Sequence, residues 1–260
     1  MTSAATVGDV FGPARRVLFV HAHPDDETIS TGALIAELAE SGVECFVLTA
    51  TRGERGEVRP DALPAGGDLV TVRQSEWLRA CGRLGASRYL HLGTWPARAI
   101  GRLARVYADS GMVWLDAAET LAGPALDASA DALTAADPDE IAADIAACAR
   151  ALAADALVTY DALGGYGHPD HVALHAPTRA AASTLGLPFF EIVSQPRGQA
   201  PDDPDASWLD LAHRLPQISA ALASYSSQLT VDGDDLIHVG GQREPIATRI
   251  GVRRVSVDAA

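Results

Sequence analysis

The sequence predicts an α/β fold, a mostly parallel sheet with helices on both faces. Three observations predict it. Short apolar runs alternate along the chain with segments of helical spacing. Those runs are continuously apolar, as strands buried on both faces require, and do not alternate apolar with polar residues. Two polar motifs, His23-Pro-Asp-Asp-Glu27 and His168-Pro-Asp-His171, each stand between a run and a helix. That is where an open parallel sheet gathers its ligands.

The elements follow in order. Residues 16–22, RVLFVHA, form the first run. Helical spacing through Ile29, Ala33, Ile35 and Leu38 marks a helix over 28–41, and Gly42 is placed to end it. VECFVLTA at 43–50 predicts a second strand, followed by a loop rich in glycine and charge, TRGERGEVRPDALPAGG. A helix over 70–84 and a strand over 87–93 come next, then an Ala-rich helix over 139–154 and the strand DALVTYD. A helix over 170–185 and a strand over 188–194 complete the alternation. The stretch from Thr94 to Asp137 is less regular and reads as an insertion beside the site or a cover over it. Residues 195–207, rich in Pro and Asp, read as a surface connection. Residues 208–230 read as partly helical with an interruption at Pro216, and Leu236 to Val255 as two short β-like runs. A single domain is expected over residues 1–260, with a core of about 15–195 and a helix and β-like tail over 208–255.

Composition narrows the partners. The chain has 260 residues, enough to bury a core without disulfides, and carries a net charge of −14 with no Lys/Arg cluster. A nucleic-acid partner is therefore excluded, and the acidity reads as a solubility device. Cys45, Cys81 and Cys148 are widely spaced and odd in number, which predicts a reducing, cytoplasmic setting. MTSAATVGDVFG lacks a basic segment followed by an apolar one, so no signal peptide is expected. The apolar runs are too short or too interrupted by charge for a membrane span.

The two polar motifs suit a divalent metal. Imidazole and carboxylate are ligands for zinc and its first-row neighbours, ferrous iron included. His23 and Asp26 are three apart across a turn, and His171 supplies a third ligand. Two histidines and one carboxylate leave positions open for water and substrate, as catalytic sites do. Asp25 adjoins the ligands and is free to act as general base; His168 is free to stabilise an oxyanion or protonate a leaving amine. Each motif alone has a plainer reading. Acidic residues before a helix complement its dipole, and proline at a first turn is ordinary. Only the pair, each at a strand-to-helix junction, carries the metal site. Gly164-Gly165-Tyr166-Gly167 lacks the lysine and the spacing of a phosphate loop, and reads as a turn bringing Tyr166 to substrate. Arg52, Arg55, Arg59 and Arg73 read by default as solvated charge, and Trp95, Met112 and Trp114 as packing. No G-x-S-x-G elbow supports a serine nucleophile.

HAHPDDE at 21–27, FVLTATRGERGE, and TYDALGGYGHPDH resemble, in this order, the LmbE-like, PIG-L-type N-acetylglucosamine deacetylase family over about residues 15–195. ADSGM at 108–112 and AADPDEI at 135–141 are similar to its actinobacterial mycothiol-pathway branch, which acts on an N-acetylglucosaminyl-inositol. The resemblance implies a Rossmann-like sheet and zinc held by His23, Asp26 and His171. It implies general base chemistry at Asp25, electrostatic stabilisation by His168 and substrate or oxyanion contact by Tyr166. It further implies that Arg73 and Asp109 contact the sugar or inositol. Ala108 departs from that branch, which carries a basic residue there, and the stretch before Asp109 is longer. The activity expected is hydrolysis of the acetamide of a small N-acetylated amino sugar or its glycoside. The rivals are an amidase of a related thiol conjugate and a non-catalytic Rossmann-like sugar- or nucleotide-binding module. A binding module has no need of a carboxylate at Asp25.

Overall fold

The computed structural model of the chain describes residues 5–60, 62–63, 67–195 and 203–257. The elements run α1 (Val7–Phe11), β1 (Arg16–His21), α2 (Asp26–Glu40), β2 (Glu44–Thr49), α3 (Leu69–Leu84) and β3 (Arg88–His91). A hairpin of β4 (Met112–Trp114) and β5 (Ala122–Pro124) follows, then α4 (Pro138–Leu152), β6 (Ala156–Tyr160), α5 (Pro169–Leu185) and β7 (Phe189–Ile192). The last part holds β8 (Ser207–Asp210), α6 (Leu215–Leu222), β9 (Leu229–Asp232), β10 (Asp235–His238), β11 (Arg243–Pro245) and β12 (Arg249–Val255).

The main sheet has the order β3-β2-β1-β6-β7-β12-β8. Its first five strands are parallel, and β12 runs antiparallel to both β7 and β8. Counted alone, the parallel strands have the 3-2-1-4-5 order of a Rossmann-type half, and the order reverses between β1 and β6. A crevice opens at such a switch point, and the two polar motifs follow those two strands.

The central strands feed two cores. On β1, Val17 and Phe19 join one apolar cluster while Leu18 and Val20 join the other. On β2, Cys45 and Val47 separate from Phe46 and Leu48 in the same way. The first cluster is closed by α2, α3 and α6, the second by α4 and α5. This two-faced burial is the physical reason the strands read as unbroken apolar runs. Helix ends follow local chemistry. The Asp68 carboxylate accepts the Thr71 amide at 2.9 Å to start α3, and Gly85 in the left-handed conformation ends it. The three cysteines are free and buried.

The later part of the chain departs from its sequence pattern. Pro216 stands in the first turn of α6, which it starts and does not interrupt. The tail expected to hold two β-like runs contributes to three strands, β10 to β12, and β10 and β11 join β9, just before the tail, in a separate antiparallel sheet. Strands of three or four residues are too short to show a period. The connection expected over 195–207 falls largely outside the described residues.

His91, at the end of β3, lies 4.6 Å from the Trp77 ring, and its Nδ1 is buried with no hydrogen-bond partner. Burial, then the nearby Arg52 charge, lower its pKa to about 4. The unfolded chain therefore takes up this proton near pH 6.5 and the folded chain does not, so the contribution is complete above pH 6.5 and lost as pH falls toward 4. The loss amounts to about 2 kcal/mol by pH 5. Urea unfolding at pH 7 and pH 5 should show a smaller acid loss in His91→Phe than in the parent chain, and equal losses would show that His91 does not carry it.

Candidate metal centre

His23 leaves the end of β1, and Asp26 opens α2. His168 caps α5 and His171 lies in its first turn, beyond β6. The switch point thus brings together residues well over a hundred positions apart. His23, His168 and His171 present ring nitrogens within 4.8 Å of one another, and His23, Asp109 and Asp170 form a second such group. Asp26 joins them through a single oxygen. Its Oδ2 lies 3.1 Å from His23 Nδ1 and 3.2 Å from His171 Nε2. The same oxygen accepts the His23 amide at 2.8 Å and the Tyr160 hydroxyl at 2.8 Å.

Charge concentrates here. Burial lowers the His23 pKa, but hydrogen bonds to Asp170 and Asp26 and the charge of Asp109 outweigh it and raise the pKa well above the ordinary value. Burial raises Asp26, yet His171 and His23 hold it well below the carboxylate range. Asp170 Oδ1 is buried and has no hydrogen-bond partner, and His171 Nε2, also buried, faces only the Asp26 carboxylate, without hydrogen-bond geometry. Orphaned lone pairs facing a carboxylate cluster fit a divalent cation. The donor set of imidazoles and carboxylates is one that such an ion takes.

Asp25 stands beside this cluster with a backbone φ of 127°, a region that non-glycine residues rarely adopt. Its side chain makes no capping bond to α2, so the plain helix-cap role does not apply. Burial first, then repulsion from Asp26, push its carboxyl well above the usual range, while His23 and Arg73 pull it down. His168 is displaced the other way, to about 2, by burial and by the charges of His23 and His171. Its Nδ1 accepts the Asp170 amide at 3.2 Å, which fixes a neutral ring with the proton on Nε2.

A cavity of about 990 Å³ opens over these groups. Arg73 lines it and is buried, which corrects the default of solvated charge. It donates to the Glu57 carbonyl at 3.0 Å, and its guanidinium passes close to Gly56, where a Cβ would come within 2.6 Å of it. Arg52 is half-buried and Arg59 donates to the carbonyls of Ser226 and Leu229, whereas Arg55 is exposed and pairs with Asp127 at 2.5 Å. Asp109 is buried and fully engaged: its oxygens accept the amides of Arg55 (3.1 Å) and Gly111 (2.8 Å), and it lies 3.7 Å from His23 Nε2. Tyr166 lines the cavity 5.6 Å from the His171 ring. Its loop is pinned by Asp161, which accepts the Ser194 amide at 2.7 Å and the Ser194 hydroxyl at 2.5 Å. Gly164, at φ 65°, is required because a Cβ there would meet the Val172 amide at 2.8 Å. Part of the irregular 94–137 segment lies beside the site, since Asp109 to Trp114 line the cavity. The packing role expected for the aromatic and sulfur residues there does not hold: Met112 and Trp114 face the cavity, and Trp95 is 86% exposed.

Several residues were not singled out from the sequence. Asp170 accepts the Ser110 amide at 3.0 Å and lies 3.1 Å from His23 Nε2; a second carboxylate inside a His-Pro-Asp-His motif was its signal. Tyr160 stacks on the His171 ring at 4.1 Å and takes the Ala22 amide at 3.0 Å while donating to Asp26. Its signal was a hydroxyl at the end of a wholly buried strand. Gln228 donates to the Pro24 carbonyl at 2.9 Å, and nothing local in the sequence points to it.

A family model described as GlcNAc-PI de-N-acetylase, PIG-L, matches residues 18–182, a span that takes in both motifs. The chain belongs to the PIG-L family. Among PIG-L relatives, a protein of Kineococcus radiotolerans named 1D-myo-inositol 2-acetamido-2-deoxy-alpha-D-glucopyranoside deacetylase is 47% identical over 63% of this chain and 44% of its own length. A protein of the same name from Actinosynnema mirum is 38% identical over 78% of this chain and 68% of its own. The chain thus spans less than half of the first relative. A solved deacetylase–teicoplanin complex shares the fold, with a TM-score of 0.55 and 21% identity over 93% of this chain and 99% of that one. Fold alone does not carry function, which rests on the site.

Tyr160→Phe keeps the ring stacked on His171 but strands the Ala22 amide and one approach to Asp26. Unfolding of the metal-free protein should show a loss of about 1–3 kcal/mol, and a variant as stable as the parent would mean that the hydroxyl is replaced by water.

Proposed function

We propose that this chain is a metal-dependent N-deacetylase. It hydrolyses the acetamide of an N-acetylglucosaminyl compound, with the inositol glycoside as the preferred substrate. The observation that carries the reading is the cluster at the switch point: His23 and His171 converging on one oxygen of Asp26, with Asp25 alongside in the lining of a cavity. The names of the relatives from Kineococcus and Actinosynnema support the substrate.

His23, Asp26 and His171 hold the metal, with zinc as the ion and ferrous iron as the alternative. Such an ion, when bound, would supply Lewis-acid chemistry at the acetyl carbonyl and favour a hydroxide nucleophile. Asp25 is placed to accept a proton from the attacking water. Burial and the neighbouring Asp26 charge raise its carboxyl above the usual carboxylate range, which makes it a stronger base than a free carboxylate. His168, neutral and carrying its proton on Nε2, donates to the developing oxyanion, and Tyr166 lies beside it. Arg73 and Asp109 contact the sugar or its partner ring from the cavity wall. Acetate and a free amine leave. Among the described residues no helix is long and apolar enough to cross a membrane, and the buried thiols suit the cytoplasm.

Elemental analysis of His171→Ala should show the metal largely lost, while full occupancy would overturn the ligand set. Asp25→Asn should keep the metal and lower acetate release from the inositol glycoside by about 10²- to 10⁴-fold in kcat; a near-normal rate would remove Asp25 as the base.

A further inference from the structure

The cavity is at the upper end of the range that small-molecule sites occupy, larger than one acetamido sugar needs. Its outer part is built from residues that the proposed chemistry does not use. Two aromatic rings lead outward from the histidines. Tyr166 meets the His171 ring edge-on at 5.6 Å, and Trp114 leans on Tyr166 at 5.6 Å with a 41° tilt. The two rings belong to segments tied by their backbones. Trp114 pairs with Ala122 across the β4–β5 hairpin, and the Ala122 amide donates to the Tyr166 carbonyl at 2.8 Å. The platform is therefore set by main-chain hydrogen bonds.

The outer wall of the same cavity comes from the β9–β11 sheet. His238 and Glu244 meet there, Nε2 to Oε1 at 2.6 Å. Gln242 donates to Glu119, next to the hairpin turn, and joins that sheet to the hairpin. All four of these side chains line the cavity with Trp114. An aromatic face beside carboxylate and amide groups is complementary to a hydroxylated ring. The ring's C–H face rests on the indole, and its hydroxyls donate to the carboxylates at the rim.

We propose that Trp114 and Glu244 form a second-ring subsite, which selects substrates whose acetamido sugar carries a polyhydroxylated ring. Trp114 is the stacking platform and Glu244 the hydroxyl acceptor. The proposal rests on the deacetylase reading for its position relative to the acetamide.

The test compares three substrates of the metal-loaded enzyme: N-acetylglucosamine, its inositol glycoside and its 4-nitrophenyl glycoside. Trp114→Ala should lower the kcat/KM ratio of the inositol glycoside to free N-acetylglucosamine by about five- to tenfold, chiefly through KM, and Trp114→Phe should restore most of it. Glu244→Gln should lower that ratio for the inositol glycoside and leave the nitrophenyl glycoside unaffected. Equal loss on all three substrates in Trp114→Ala would mean that the indole only packs the hairpin. Equal dependence of the nitrophenyl and inositol glycosides on Glu244 would mean an apolar pocket with no polyol selectivity. Either result overturns the subsite. Calorimetric binding of the inositol glycoside to Asp25→Asn, with and without Trp114→Ala, reads the subsite without turnover. There a five- to tenfold weakening supports it and unchanged affinity overturns it. If the parent enzyme releases acetate from none of the three, the deacetylase reading fails, and the calorimetry still decides the subsite.

Discussion

One carboxylate oxygen organises the centre of this structure. Asp26 Oδ2 is approached by an amide, a phenolic hydroxyl and two imidazole nitrogens, all within 3.2 Å. Those groups come from the end of β1, the end of β6 and the first turn of α5. A buried anion is costly unless its lone pairs are met. Packing around it must therefore bring three elements to a common point. The strand order does this, because β1 and β6 are neighbours in the sheet though separated by four strands in the chain. The strained backbone at Asp25 belongs to the same constraint, since the chain turns sharply to direct successive carboxylates into one space.

Much of this was legible from residues alone. The parallel core was readable because strands covered on both faces leave unbroken apolar runs, and helices with Gly or Pro at their ends leave clear boundaries. The motifs were readable because there are two of them, each at a strand-to-helix junction, and helix-end charge accounts for either alone better than for both. What was not readable is whatever depends on contact across the fold. Tyr160 looked like the last residue of a strand, and its hydroxyl acquires meaning only when Asp26 arrives beside it. Arg73 looked like surface charge because its burial depends on a loop wrapping over it, with glycines where the guanidinium passes. Trp114 looked like core because indoles usually are. The short antiparallel strands of the last sixty residues left no period to detect.

The two halves of the site differ in what fixes them. The inner half is set by the sheet, where neighbouring parallel strands leave little freedom. The outer half is set by a hairpin and a small separate sheet, joined to each other through side chains such as Gln242 and Glu119. Chemistry held by the sheet under a rim built from separate elements is how a single scaffold can host different specificities.

The contacts of Tyr225 and Gln228 with the first motif bear on how the protein is made. Tyr225 donates to Glu27, and Gln228 donates to the Pro24 carbonyl, bridging 198 and 204 positions of sequence. A chain emerging from the ribosome carries every residue of both motifs by position 171, yet the Glu27 carboxylate still lacks its tyrosine and the turn at Pro24 lacks its tether. The nascent chain therefore carries both motifs well before the contacts that hold the first of them in place can form. That half of the site is completed only when the last quarter of the polypeptide has packed against the first.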